Sequence, residues 1–300
     1  MAYLGVDLGG TKVHVAKIVG QSCENSVRSL IPNKGTEQEV LDVIKKSISE
    51  LIDEDVTSIG IGVPSLVDQQ LGIVYDVQNI PSWKKVYLKN ILETHFNIPV
   101  FINNDANCFS LGELHFGSGK EYDSFVALSI GTGIAGGIII NKKLYNGFNS
   151  GAGEFGMLPY LDHNFEHYCS GQFFQQVNGI AGEKVFESAK SGDLSSLDLY
   201  TTFGKHLGNL IIQVLYTYDP ELIVLGGSIS KAYPYFKKGI HTSLAQYAYQ
   251  NSINNLKITV SNDPDISVKG AASLCYKPND PIIWNFIKSV ICHYYLLFYF

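Results

Sequence analysis

The sequence predicts an α/β protein built as two lobes, and three observations predict it. Strand-like and helix-like apolar patterns alternate along the chain. Two glycine-rich turns each stand between short β-branched runs. The length of 300 residues reaches the size at which single cores ordinarily stop growing.

Taken in order, the first turn is Asp7-Leu8-Gly9-Gly10-Thr11-Lys12, entered by a strand over 3–6 and left by one over 13–16. Thr36-Glu37-Gln38-Glu39 has capping-box form and opens a helix with Val40, Ile44, Ile48 and Leu51 on its apolar face. A strand over 56–63, a helix over 88–95, a strand over 100–102 and a helix over about 106–113 follow. The small, polar stretch Gly117-Ser118-Gly119-Lys120 reads as a boundary, giving a first lobe over 1–117 and a second over 118–268. The second turn, Ser129-Ile130-Gly131-Thr132-Gly133-Ile134-Ala135-Gly136-Gly137, lies between strands over 125–128 and 138–140. A helix with Leu207, Leu210, Ile211, Val214 and Leu215 inward then leads to a strand over 222–225 and to Gly226-Gly227-Ser228. The two strand-turn-strand openings read as a diverged repeat, and duplicated lobes facing each other make a cleft.

Residues 269–300 read as a helix and apolar tail that pack back on the first lobe. A membrane span over 282–300 is the alternative, but Asn285, Lys288 and His293 interrupt it and no basic cluster flanks it. The net charge of -6 and pI near 5.7 supply no basic footprint for nucleic acid or an anionic membrane. Cys23, Cys108, Cys169, Cys275 and Cys292 are odd in number and unpaired in spacing, which argues against a disulfide framework. The N-terminus lacks secretory-signal character, so a cytoplasmic location is expected.

Phosphate binding needs backbone N–H groups aimed at the anion and no Cβ in the way. Gly9, Gly10, Gly131 and Gly133 meet that need, with hydroxyls from Thr11 and Thr132. One such turn alone is as readily a plain hairpin connection; two in matching context are not. Asp7 is placed to hold Mg²⁺, directly or through water. Gly131-x-Gly133-x-x-Gly136 matches a dinucleotide fingerprint, but that motif requires a helix next, and residues 138–140 are β-branched. No Walker loop occurs in the chain.

Asp105, at the end of a strand where a helix begins, is a candidate base for a hydroxyl proton. It is equally a candidate helix N-cap. Glu154, in Gly151-Ala152-Gly153-Glu154-Phe155-Gly156, and Glu166 are acceptors suited to vicinal hydroxyls, although each alone could be a solvated surface residue. Together these features suggest phosphoryl transfer from a nucleotide to a small molecule.

The first glycine turn, Asn103-Asn104-Asp105-Ala106-Asn107, the run from Leu128 to Gly137 and the Glu154 loop, in that order, resemble the ROK sugar kinases. These are glucokinase-like members of the actin-like ATPase superfamily, and the resemblance spans about 3–274. It implies a two-lobed actin-like (ribonuclease H-like) fold and an ATP- and Mg²⁺-dependent kinase acting on a hexose, glucose by default, at its 6-hydroxyl. Asp105 would be the base. Pro64, Asn79, Asn104, Asp105, Glu154 and Glu166 would meet the sugar. Asp7, Gly9, Gly10, Thr11, Lys12, Gly131, Thr132, Gly133, Gly226 and Gly227 would hold ATP. A homodimer is compatible with the resemblance.

The same family includes sugar-responsive repressors, which carry a helix-turn-helix before the first strand; this sequence starts at the strand, which favours the kinase. A non-catalytic actin-like protein would need no polyol pocket.

Two departures stand out. Met157 occupies the place where the family usually has His. The family's zinc-binding Cys-x-Cys-Gly-x-x-Gly-Cys cluster is replaced by a shortened stretch over 159–165, leaving Cys169 alone. No zinc site is therefore expected, with His163, His167 and Cys169 as the reduced alternative. If Glu166 drifts because zinc no longer fastens its loop, a penalty in sugar binding follows.

Overall fold

The computed structural model describes residues 1–77 and 79–276. The apolar tail over 282–300 lies outside them.

The chain opens with β1 (Ala2–Leu8), β2 (Lys12–Val19) and β3 (Ser22–Leu30), an antiparallel meander. The Thr36 hydroxyl then accepts the Glu39 N–H while the Glu39 carboxylate accepts the Thr36 N–H at 2.7 Å. This reciprocal cap, worth about 1 kcal/mol, starts α1 (Glu37–Ser49), which buries Val40, Ile44 and Ile48. Leu51 falls just past its end. Next come β4 (Val56–Val63), a small sheet of β5 (Val67–Asp68), β6 (Ile73–Tyr75) and β7 (Lys85–Val86), then α2 (Leu88–Phe96) and β8 (Val100–Asn104). The main sheet has the order β3-β2-β1-β4-β8, with β4 and β8 parallel to β1.

α3 (Asp105–His115) leads to β9 (Phe125–Ile130), β10 (Ile134–Ile140) and β11 (Lys143–Leu144). A short hairpin, β12 (Pro159–Tyr160) and β13 (His163–Asn164), precedes α4 (Phe165–Cys169), α5 (Gly182–Lys190) and the long α6 (Leu194–Tyr218). β14 (Leu222–Gly226), α7 (Tyr233–Leu244), α8 (Gln250–Asn255), β15 (Lys257–Val260) and α9 (Ile266–Ser273) complete the described chain. The second main sheet runs β11-β10-β9-β14-β15, and its pairings repeat the antiparallel and parallel senses of the first.

Each sheet has its own core. Leu4, Val6 and Leu8 pack with α1 and α2 on one. Val126, Leu128 and Ile138 pack with Phe203, Leu207, Leu210 and Ile211 of α6 on the other. Each such fully buried aliphatic side chain contributes about 2 kcal/mol of transfer free energy. Two helices tie the halves together. α3 leaves the first sheet and packs on β9 and β10 of the second, while α9 leaves the second sheet and packs on β1, β4 and α3. The α9 backbone comes so near the first sheet that Gly5 and Gly60 face the carbonyls of Val268 and Ala271, leaving no room for a Cβ. No helix among the described residues is long and apolar enough to cross a membrane.

Candidate active site

Parallel strands deliver their carboxyl ends to one edge, where ligands of open α/β sheets gather. Here the register pairs Asp7 of β1 with Gly62 of β4, and Gly62 with Asn103 of β8. Asp7 and the Asn103-Asn104-Asp105 corner therefore flank a strand position that carries no side chain. Strands two apart are about 10 Å from each other, close enough for their carboxylates to interact. Pro64 directly follows β4. Asn79 lies against the first turn, with its side chain in the space that a Cβ on Gly10 would need.

The strand-to-helix corner divides its duties among three polar residues. Asn104 is the N-cap of α3: its Oδ1 accepts from Ala106 N at 2.9 Å and Asn107 N at 3.3 Å. Its Nδ2 donates to the Ser65 carbonyl at 3.3 Å. The Asn103 side chain accepts from Asn107 Nδ2 at 3.0 Å and donates to Asn146 Oδ1 at 3.0 Å, reaching a loop that follows β11. Asp105 is thus the first helical residue and not the cap; its Oδ1 accepts from the N–H of its neighbour Ala106 at 2.9 Å.

Charge is concentrated at this edge. Asp7, Asp105, Glu154 and Glu166 are all half-buried. Burial raises the Asp7 carboxyl to about 6, moderated by the positive charge of Arg28. Burial first, then the negative charge of Asp7 and the weaker one of Glu154, raise Asp105 to about 7. Glu154 is raised by burial and by Glu166. The sequence-predicted carboxylates therefore meet in one electrostatic cluster, although they come from β1, α3, a loop and α4.

Both glycine turns close on themselves, Gly9 N to Lys12 O at 2.9 Å and Gly131 N to Gly133 O at 2.9 Å. Their glycines have different reasons to be glycine. Gly10 and Gly133 are crowded, by the Asn79 side chain and the Glu166 carboxylate respectively. A Cβ on Gly9 would come no nearer than 3.4 Å to Lys12 O, and one on Gly131 no nearer than 3.8 Å to Ser228 Oγ. Neither has a positive φ, so neither conformation nor packing demands glycine there; the side a Cβ would occupy is open, while the N–H of each is spent inside its own turn. Thr11, Lys12 and Thr132 are exposed beside them. Gly227 is exposed with φ 80°, whereas Gly226 is buried with its α-carbon against the Phe109 ring.

Glu166 rests on the second turn. Its Oε2 accepts from Ile134 N at 3.3 Å and its Oε1 from Gln172 Nε2 at 3.0 Å. Gly171 N adds a bond to Gly131 O at 2.8 Å. These bonds fasten the segment to the turn. Met157, in the place of the family His, is 44 % exposed on a short 3₁₀ turn over Phe155–Met157. Among the described residues, no group of three or more His, Cys, Asp or Glu is placed to hold a metal ion.

Sequence reasoning missed Asn146, Gln172, Tyr160 and His206, all of which brace the site. Their only sequence signal was polarity or aromaticity in segments without periodicity.

Comparison with known proteins agrees with this geometry. The ROK family model matches residues 3–277. An uncharacterised protein of Clostridium perfringens is 31% identical over 91% of this chain and 97% of its own. The glucokinase of Thermotoga maritima is 27% identical over 90% of this chain and 96% of its own. Xylose repressors of Bacillus also match. Among solved structures, a ROK family glucokinase from Streptomyces griseus in complex with glucose and AMPPNP superposes with a TM-score of 0.80 at 25% identity, over 91% of this chain and 99% of that one. The chain belongs to the ROK family and has the two-lobed actin-like ATPase fold.

Proposed function

We propose that the protein transfers the γ-phosphoryl group of ATP to the 6-hydroxyl of a hexose, with glucose the first candidate. The observation that carries this reading is Asp105: its neighbour Asn104 does the capping, and its carboxyl is tuned to about 7 at the mouth of the shared edge.

In this reaction the hexose oxygen forms a bond to the γ-phosphorus, the bond from that phosphorus to the bridging oxygen of ADP breaks, and the hydroxyl proton passes to Asp105. Pro64, Asn79, Asn104, Glu154 and Glu166 orient the sugar. The two glycine turns, with Gly9, Gly10, Thr11, Lys12, Gly131, Thr132 and Gly133, receive the nucleotide together with Gly226 and Gly227, and the missing Cβ atoms of Gly9 and Gly131 leave room for the phosphates to come close. Asp7 suits Mg²⁺: burial raises its pKa and its charge acts on the Asp105 carboxyl, so a cation there would relieve both the desolvation and the like-charge repulsion. When bound, Mg²⁺ neutralises charge on the phosphate oxygens. On this reading the lobes divide near Gly117 and close on substrate to exclude water. The demand for ATP fits a cytoplasmic enzyme.

The test is ADP release across a panel of hexoses, with Asp105→Asn as control. Turnover should require a hexose and should collapse in the variant. Turnover without sugar, or activity that survives Asp105→Asn, overturns the mechanism. A hexose that raises the melting temperature while no hexose is turned over would point instead to a sugar sensor.

A further inference from the structure

Glu166 sits in a helix of five residues, too short to hold its own orientation. Something behind it must supply rigidity. Asn164 Oδ1 caps α4 by accepting from His167 N at 3.0 Å, and Ser170 Oγ donates to the Glu166 carbonyl at 2.7 Å. The larger support comes from the β12–β13 hairpin and from α6. The Tyr160 ring stacks on Phe165, the residue before Glu166, with centroids 4.1 Å apart and planes 13° from parallel. Its hydroxyl accepts from Asn209 Nδ2 at 2.8 Å and lies 3.0 Å from His206 Nδ1. Both partners project from α6, whose Leu207, Leu210 and Ile211 are fully buried in the core of the second lobe. Tyr168, in turn, packs edge-on against Tyr160 at 5.6 Å and bonds through its hydroxyl to Asp162.

We propose that Tyr160, Phe165, His206 and Asn209 form a metal-free clasp that positions Glu166 on the second glycine turn. The residues that could have made a reduced zinc site are otherwise engaged. The imidazoles of His163 and His167 stack on each other at 4.1 Å, and the Cys169 thiol is fully buried, which raises its pKa well above the ordinary value. The hydrogen-bond chain has a consistent direction. Asn209 donates to Tyr160, so the Tyr160 proton goes to His206 Nδ1, which requires neutral His206 with its proton on Nε2. Burial, with help from the Lys205 charge, lowers the His206 pKa and keeps it neutral. Tyr160 and His206 are positioning residues that act through Glu166.

This rests on the proposal that Glu166 reads the sugar, and its test separates the two. Tyr160→Phe keeps the ring stack and deletes both hydrogen bonds. It should raise the hexose KM about fivefold to tenfold with kcat and the KM for ATP nearly unchanged. In a Glu166→Gln background the same substitution should have no further effect, because the clasp would have nothing left to position. An unchanged KM, or effects that multiply independently, overturns the clasp. Asn209→Ala, which removes a single donor, should move KM in the same direction by less; no movement counts against it. Hydrogen exchange of the amides over 163–171 gives a readout free of turnover. Exchange should quicken in Tyr160→Phe, and unaltered exchange sinks the clasp whether or not any hexose is phosphorylated. Finally, 1,10-phenanthroline should leave the melting temperature of the purified protein in place; a fall that zinc restores would show that a metal does the fastening.

Discussion

Asp7 lies near enough to Asp105 for its charge to act on that carboxyl, and Gly62, the strand partner of Asp7, turns its side-chain-free face to the Asp105 α-carbon, which a Cβ there would meet at 3.4 Å. Because burial first, then the charges of Asp7 and Glu154, hold the Asp105 carboxyl up at about 7, protonation of the base falls within the working range of pH. The rate constant kcat/KM for hexose should therefore climb with pH and level off above about 7. Glu154→Gln removes one negative neighbour, which makes ionisation of Asp105 easier and moves that limb to lower pH. A pH profile of both proteins checks the direction; a limb that stays in place or moves to higher pH contradicts the assigned cause.

Asp105→Asn keeps the shape of the corner and removes the proton acceptor. Since Asn104 carries the cap, the variant should fold with a melting temperature near that of the parent. Its kcat should fall by about two to four orders of magnitude, while hexose still raises its melting temperature. Asn104→Ala should differ from it in stability. It loses the cap and about 1 kcal/mol of stability, which a urea titration of the two variants side by side will resolve.

How far the sequence could be read follows from these residues. Periodicity identified α1 and β4 because their apolar positions face a single core, β14 stood out as an unbroken apolar run because it is buried on both faces, and the Thr36 capping box marked where a helix starts. Asp105 could not be separated from an N-cap by sequence, since Asn103, Asn104 and Asp105 are all competent caps. Only the backbone register and the hydrogen bonds assign the cap to Asn104. Gly226 and Gly227 look alike as letters, yet one is buried against Phe109 and the other is exposed at positive φ. The clasp at Tyr160 was invisible for another reason. It joins a two-residue strand to a helix dozens of positions downstream, and no local pattern encodes such a contact.

The glycine turns offer a test in which stability and binding part company. Gly9→Ala and Gly131→Ala place a methyl group in open space, at ordinary contact distances of 3.4 Å and 3.8 Å. Their melting temperatures should be unaltered or slightly raised through the stiffer unfolded chain, but the KM for ATP should rise about tenfold if phosphate approaches the open side of those turns. Gly10→Ala must instead displace Asn79, so it should lower the melting temperature and disturb the hexose KM as well. Thermal melts and two-substrate kinetics on the three variants distinguish the classes. An unchanged KM for ATP in both open-space variants would remove the turns from the nucleotide site.

His115 predicts how the fold itself responds to acid. Burial, with a smaller push from the Lys120 charge, lowers its pKa from 6.5 to about 4, and the ring packs edge-on against Phe116 and Tyr276 at 6.3 Å and 5.5 Å. Above pH 6.5 the imidazole is neutral in both folded and unfolded chains and costs nothing. As the pH falls below that value the unfolded chain takes up a proton that the folded protein resists, so stability declines until about pH 4, where the folded form protonates too. The loss over that window amounts to at most about 3 kcal/mol. Carboxylates titrate in the same range, so the quantity to measure is the difference between the parent and His115→Gln in urea unfolding at successive pH values. The parent should be the more stable at neutral pH by virtue of its packing, and its advantage should shrink as acid is added. A difference that stays constant with pH would show that His115 titrates normally in the folded protein.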